Sequence, residues 1–135
     1  MLLVYMTLTG NVREFVDKTD FDSIELDPSD PFIEVNEDYI VVVPSYVGEI
    51  DDEVSDFIDY KDNRRYLKGF AASGNLNFDD LYCVNGKSLS KKYNEPLIFT
   101  FEYSGTETDV ENFEKEVKRI EVTWISWKGK RGYLL

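Results

Sequence analysis

The sequence predicts one α/β domain built on a doubly wound parallel sheet, and three observations predict it. Short apolar runs recur along the chain, and they are continuous rather than alternating, as in strands buried on both faces of a parallel sheet. Helical patterns of apolar residues separate most of these runs. The chain has 135 residues, the size of a single domain with a substantial core.

Five strands are predicted. Four are the apolar runs Leu2–Met6, Tyr39–Val43, Gly69–Ser73 and Leu97–Phe101, and the remaining one, Ser23–Leu26, is a weaker candidate in an acidic stretch. The predicted order along the chain is strand, helix, strand, strand, helix, strand, helix, strand, helix. This order is typical of a doubly wound sheet with right-handed crossovers.

Three of the predicted helices show explicit apolar periodicity, with their apolar positions on one face. These positions are Val12, Phe15 and Val16, then Ile50, Val54, Phe57 and Ile58, and finally Val110, Phe113, Val117 and Ile120. Thr108 followed by Glu111 predicts a capping box that opens the last helix.

Composition and charge exclude several classes of protein. The chain is 42% apolar and 31% charged, as in soluble globular proteins. No run approaches the roughly 18 apolar residues of a membrane span, and Leu2–Met6 has no basic region before it, so no signal peptide is predicted. The net charge is −12, and residues 122–135 carry three basic groups and no acid. Such an acidic surface disfavours binding to nucleic acid and to anionic membranes. It indicates either a basic binding partner or a surface that keeps the protein in solution.

Histidine is absent and Cys83 is the only cysteine. The absence of histidine excludes His-based triads and His-containing zinc sites, and it disfavours general acid–base catalysis near neutral pH. One cysteine provides neither a disulfide framework nor metal-ligand spacing, which favours a reducing, cytoplasmic setting. The acidic residues 20–38 lack the glycine and terminal glutamate of an EF-hand loop, so we interpret them as a solvated surface rather than a calcium site.

The segment Thr7–Asn11 joins the first strand to the first helix. A buried strand, a short turn with hydroxyl groups and a glycine, and a helix start can hold a phosphate on backbone N–H groups, where the helix dipole favours negative charge. The turn contains no Lys or Arg, so it is not a triphosphate loop of the G-x-x-x-x-G-K-[ST] type. A single phosphate fits better, and an ordinary capped helix is the structural alternative.

Two further loops leave the sheet at the same edge, after the predicted strands Tyr39–Val43 and Gly69–Ser73. They contain Tyr46, Phe78 and Tyr82, together with glycine and asparagine residues that tolerate unusual backbone angles. Doubly wound sheets bind ligands beyond the carboxyl ends of their strands. The three loops together predict a flat aromatic ligand with one phosphate, for which FMN is the candidate. Considered separately, each loop has a purely structural alternative, either as a tight turn or as a loop anchored by an aromatic side chain.

Several motifs extend this interpretation. The most specific are Ala72-Ser73-Gly74-Asn75-Leu76-Asn77-Phe78 and Ser90-Lys91-Lys92-Tyr93-Asn94-Glu95-Pro96-Leu97. Others are Thr9-Gly10-Asn11 with Phe15, Pro44-Ser45-Tyr46, Phe101-Glu102, and Gly105-Thr106 with Asp109-Val110. These motifs resemble the NrdI family, the small flavodoxin-like flavoproteins that serve class Ib ribonucleotide reductase. The resemblance assigns residues 1–121 to a flavodoxin-like FMN-binding domain and implies the strand order 2-1-3-4-5.

The resemblance implies a tightly bound FMN. In the family, the reduced flavin reacts with O2, and the resulting oxidant travels to the dimanganese site of the small reductase subunit, where a tyrosyl radical forms. The flavin carries the redox chemistry, so no catalytic side chain and no metal ligand are assigned, and the chain is an accessory flavoprotein rather than a metabolic enzyme. The implied partners are the small subunit, O2, and a flavodoxin reductase or similar electron donor.

The cofactor-binding residues implied by the resemblance fall into three groups. They are Thr7, Leu8, Thr9, Gly10, Asn11 and Val12 around the phosphate; Pro44, Ser45, Tyr46, Val47 and Gly48 beside the isoalloxazine ring; and Ser73, Gly74, Asn75, Asn77 and Phe78 on its far side, with Tyr82 and Cys83 as further members. We expect Gly10→Val to weaken FMN binding through both bulk and lost backbone freedom.

The chain departs from the family pattern in two places. In the family, the loop after the strand that corresponds to Tyr39–Val43 usually carries several glycines, whereas here it reads Tyr46-Val47-Gly48-Glu49. Only Gly48 remains free to flip its peptide with redox state. The other departure is the segment 122–135, which is either a frayed extension or a basic, aromatic docking element.

Two other functions stay open on sequence grounds. A general flavodoxin-type electron carrier would exchange electrons with a reductase without delivering an oxidant. A non-flavin adaptor would keep the fold and lack the cofactor, an alternative that the missing loop glycines leave open.

Overall fold

The structure is a computed structural model that describes residues 1–45, 50–76 and 83–131, with side chains described as far as Val122 in the last helix. Its strands are β1 (Leu2–Tyr5), β2 (Ser23–Glu25), β3 (Tyr39–Val43), β4 (Leu67–Gly74) and β5 (Leu97–Glu102). Its helices are α1 (Asn11–Asp17), α2 (Ile50–Ile58), α3 (Asn63–Tyr66), α4 (Val84–Tyr93) and α5 (Glu107–Arg131).

The strands form a single parallel sheet in the order β2-β1-β3-β4-β5. The predicted doubly wound fold and the strand order 2-1-3-4-5 are therefore confirmed. All the predicted strands are present: β3 has the predicted bounds, and the ends of the others differ by at most two residues. Helix α3 was not predicted, because a helix of four residues is too short to show apolar periodicity.

Apolar layers cover both faces of the sheet, which explains the continuous apolar runs. Successive side chains of a strand point to opposite faces. Val4 of β1 therefore packs in the layer that contains Phe57 of α2, whereas Leu3 packs in the layer that contains Phe15 of α1 and Phe113 of α5. The central strand β3 is buried along its whole length.

The capping box of the last helix lies two residues before the predicted position. The Asp109 N–H donates to Thr106 Oγ1 at 3.1 Å, and the Thr106 N–H donates to the Asp109 carboxylate at 2.9 Å. This reciprocal pair starts α5 at Glu107. The prediction that Thr108 and Glu111 form the box was therefore wrong.

Helix α5 continues beyond the edge at which the strands begin. The N-terminal ammonium of Met1 lies 3.6 Å from the Glu121 carboxylate, so the helix has reached the start of β1 by that residue. Val122 is 62% exposed, and the helical backbone continues to Arg131. The boundary between a domain of residues 1–121 and an extension of residues 122–135 stays a prediction. In the portion of the chain that the structure describes, we find no helix with the length and apolarity to cross a membrane.

Close packing of α4 on β4 depends on Gly86. A Cβ atom at this position would lie 2.6 Å from the Ala72 Cβ and 3.0 Å from Leu97 Cδ1. We expect Gly86→Ala to lower the free energy of unfolding by about 1–2 kcal/mol, because the helix must move off the strand even though alanine is the better helix former. Urea denaturation followed by circular dichroism measures the loss. Adding Ala72→Gly to this variant removes the nearest atom and should recover part of the lost stability. If no stability were recovered, the contact with the Ala72 Cβ would not be the cause of the loss.

Candidate functional site

A cleft opens at the carboxyl edge of the sheet, where β1, β3, β4 and β5 end. It encloses about 260 Å³, and its described lining comes from the segments that follow those strands. The lining residues are Thr7, Leu8, Thr9, Asn11, Val12, Pro44, Ser45, Ser73, Gly74, Asn75 and Tyr103. Neighbouring strands β1 and β3 lead into helices on opposite faces of the sheet. The cleft therefore lies at the switch point where doubly wound sheets bind ligands.

The turn between β1 and α1 depends on Gly10 and Thr7. Gly10 has φ 91° and ψ −8°, a left-handed conformation that favours glycine. Its N–H donates to Thr7 Oγ1 at 3.1 Å, and its carbonyl accepts the N–H of Glu14 at 2.9 Å. No described side chain caps α1. The N–H groups of its first turn therefore face the space before the helix, where an anion is favoured.

Hydrogen bonds connect the ends of β3, β4 and β5 at the cleft. The Ser45 hydroxyl donates to the Ser73 carbonyl, and the Ser73 hydroxyl donates to the Tyr103 carbonyl, each at 2.5 Å. The Tyr103 N–H donates to the Gly74 carbonyl at 3.1 Å. The Asn75 amide nitrogen donates to the Tyr103 hydroxyl at 2.7 Å. The segments after three strands are thus held in fixed relative positions, which preorganises the cleft for a ligand.

The described lining of the cleft carries no charged side chain. Arg13, in the first turn of α1, binds the Glu25 carboxylate of β2 through two contacts of 2.7 and 2.9 Å. The hydrogen bond from Arg13 is the main reason that the pKa of the Glu25 carboxyl lies below its ordinary value. The described part of the cleft therefore presents hydroxyl, amide and apolar groups.

The structure brings ten of the predicted cofactor-binding residues to this cleft. They are Thr7, Leu8, Thr9, Asn11, Val12, Pro44, Ser45, Ser73, Gly74 and Asn75. Gly10 shapes the turn between them. Cys83 lies elsewhere, because its side chain is buried in the apolar layer with Sγ 3.5 Å from the Ala72 carbonyl. The predictions for Tyr46, Val47, Gly48, Asn77, Phe78 and Tyr82 fall outside the described residues. The cofactor-binding role of all these residues stays a prediction.

Tyr103 is a described cleft residue that the sequence analysis missed. The ligand-binding loops predicted from the sequence follow β1, β3 and β4, whereas Tyr103 follows β5. A signal was present, since Tyr103 lies between the motifs Phe101-Glu102 and Gly105-Thr106. The rule that parallel strands end at one edge applies to β5 as well.

The strand order, the helices on both faces and the cleft at the switch point define a flavodoxin-like domain. A solved short-chain flavodoxin associated with a PDU bacterial microcompartment has this fold. The two structures superpose with a TM-score of 0.63 over 90% of this chain and 96% of the flavodoxin, at 20% sequence identity.

Sequence comparison identifies the family within this class. A family model described as NrdI Flavodoxin like matches residues 3–115. Protein NrdI of Macrococcus caseolyticus is 38% identical over 89% of this chain and 91% of its own length. Protein NrdI of Mycoplasma mycoides subsp. mycoides SC is 33% identical over 88% of this chain and 81% of its own length. The chain therefore belongs to the NrdI flavodoxin-like family, as the motifs indicated.

Proposed function

We propose that this protein binds FMN and activates class Ib ribonucleotide reductase. In this role the protein, loaded with reduced FMN, supplies an O2-derived oxidant to the dimanganese small subunit for assembly of the tyrosyl radical. The observation that carries the proposal is the cleft at the switch point of the sheet, whose described lining is uncharged, in a chain that belongs to the NrdI flavodoxin-like family. The small subunit, O2 and a flavodoxin reductase or similar donor are the proposed partners, and the cytoplasm is the proposed location.

The described residues fit FMN. The N–H groups at the start of α1 and the hydroxyls of Thr7 and Thr9 supply neutral donors for a phosphate. Short-range contacts of this kind suit a chain with a net charge of −12, which offers an anion no favourable long-range field. Pro44, Ser45 and Asn75 supply apolar and amide surface for a flat heterocycle.

The chain itself needs no histidine and no metal for this function. FMN, when bound, supplies the redox chemistry, and the protein supplies binding, orientation and access. Ser45, Ser73 and Tyr103 hold the segments around the cleft through their mutual hydrogen bonds. Leu8 and Val12 contribute apolar lining that restricts water.

The first experiment measures cofactor binding. Purified protein, stripped of small molecules, is titrated with FMN while visible absorption and flavin fluorescence are recorded. We expect saturable binding of one FMN per chain, with riboflavin bound more weakly because it lacks the phosphate. A colourless protein that leaves the FMN signals unchanged would overturn the proposal and favour an adaptor without a cofactor.

The second experiment separates activation of the reductase from general electron transfer. The reduced FMN-loaded protein is mixed with O2 and a manganese-loaded class Ib small subunit, in the presence of scavengers of free peroxide and superoxide. We expect a tyrosyl radical signal by electron paramagnetic resonance. Absence of that signal, together with rapid electron exchange with a flavodoxin reductase, would favour an electron carrier.

A further inference from the structure

Tyr103 adopts a backbone conformation that is uncommon for a tyrosine. Its φ of 53° lies in the left-handed region, which residues other than glycine rarely occupy. Its N–H donates to the Gly74 carbonyl at 3.1 Å, and its carbonyl accepts the Ser73 hydroxyl at 2.5 Å. Both bonds attach Tyr103 to the end of β4. The end of β4 thus holds the tyrosine in place.

Tyr103 lines two cavities. It lines the cleft described above, and it also lines a second cavity of about 420 Å³ together with Leu76, Glu102 and Asp109. Among the described residues, Tyr103 is the one that both linings share. Although 52% of its surface is exposed, its hydroxyl accepts a hydrogen bond of 2.7 Å from the Asn75 amide nitrogen. The side chain is therefore oriented by a specific contact.

The chemistry of the phenol suggests what the orientation achieves. A tyrosine hydroxyl accepts and donates at the same time. The contact from Asn75 uses its acceptor capacity and leaves the phenol proton to donate. Because the described lining of the cleft contains no cation, an uncharged O–H is among the strongest donors that these residues offer to a ligand oxygen.

We infer that Tyr103 is a ligand-positioning residue of the cleft, whose hydroxyl holds the Asn75 side chain and donates a hydrogen bond to an oxygen of the flavin ring. The ring is assigned rather than the phosphate, because Tyr103 is bonded to Ser73, Gly74 and Asn75 at the end of β4, whereas the helix start that suits a phosphate follows β1, two strands away in the sheet. The identity of the ligand rests on the proposed function.

Tyr103→Phe tests the inference, because it keeps the ring and removes only the hydroxyl. We expect the dissociation constant of FMN to rise about three- to tenfold, as for one lost hydrogen bond. We also expect the reduction potential of the bound flavin to fall, because a donor to a ring oxygen stabilises the more electron-rich reduced form. The matched control is Tyr60→Phe, since Tyr60 contacts Phe32 rather than the cleft and should leave both values unchanged.

A double-mutant cycle with Asn75→Ala tests the link between the two side chains. Each single variant raises the dissociation constant of FMN by some factor. If Tyr103 acts partly through Asn75, the rise in the combined variant is smaller than the product of the two single factors. The inference is overturned if the losses of FMN affinity in the two single variants simply multiply in the combined variant. It is also overturned if Tyr103→Phe leaves either the dissociation constant of FMN or the reduction potential of the bound flavin unchanged. Failure of the unmodified protein to bind FMN would overturn the proposed function and the inference with it, so the two failures are distinguishable.

Discussion

Replacing Asn63 with alanine is expected to lower the free energy of unfolding by about 3–5 kcal/mol. Asn63 is fully buried. Its Oδ1 accepts the Val35 N–H at 2.9 Å, and its Nδ2 donates to the carbonyls of Ile33 and Phe57 at 2.7 and 2.8 Å. Asn63→Ala leaves a buried donor and two acceptors without this partner. The side chain joins the segment before β3 to α2, so its loss affects two elements at once.

Urea denaturation followed by circular dichroism measures this effect. The matched control is Asn112→Ala on the exposed face of α5, where we expect a change within about 0.5 kcal/mol. A loss below about 1 kcal/mol in Asn63→Ala would show that water or a local shift replaces the three hydrogen bonds.

The charged variant Asn63→Asp adds a pH dependence with a definite sign. A carboxylate cannot donate to the carbonyls of Ile33 and Phe57, and burial beside them raises the pKa of the introduced carboxyl in the folded state. The folded variant therefore binds a proton more tightly than the unfolded chain does. Its stability deficit relative to the unmodified protein should shrink from pH 8 to pH 5, and a deficit independent of pH would contradict this reasoning.

The fold was predictable because burial on both faces leaves a clear pattern in the sequence. Strand β3 is buried along its whole length and reads Tyr-Ile-Val-Val-Val, so its assignment did not depend on any tertiary contact. The start of α5 was less predictable, because both Thr106 and Thr108 have an acid three residues later. Gly105, with φ 69°, immediately precedes Thr106 and marks the turn from which the helix starts.

The candidate site was predictable where it follows from topology. The segments after β1, β3 and β4 form the cleft because parallel strands end at one edge. The same rule places Tyr103 at this edge after β5, but its left-handed conformation has no sequence signature. Cys83 was assigned through the family resemblance, yet its side chain packs into the core.

Replacing Gly10 with valine is expected to weaken FMN binding at least about 30-fold. The structure places the weight on backbone conformation, because no described atom lies within 4 Å of a Cβ placed on Gly10 and the surrounding protein therefore leaves room for the first atom of a side chain. The cause is φ of 91° at Gly10. A left-handed conformation costs about 1–2 kcal/mol for an ordinary residue, so we expect the turn to relax in the free variant. Restoring the turn on binding then lowers the affinity by about 5- to 30-fold, and a β-branched side chain adds to that cost.

A graded series at Gly10 separates backbone conformation from side-chain size. Asparagine is larger than alanine but tolerates the left-handed region better. We therefore expect the loss of FMN affinity to increase in the order Gly10→Asn, Gly10→Ala, Gly10→Val, as measured by titration of the stripped proteins. If size decided the outcome, Gly10→Asn would bind more weakly than Gly10→Ala. If Gly10→Val bound FMN as the unmodified protein does, the phosphate could not lie on the N–H groups that this turn presents, and the site would have to be placed elsewhere.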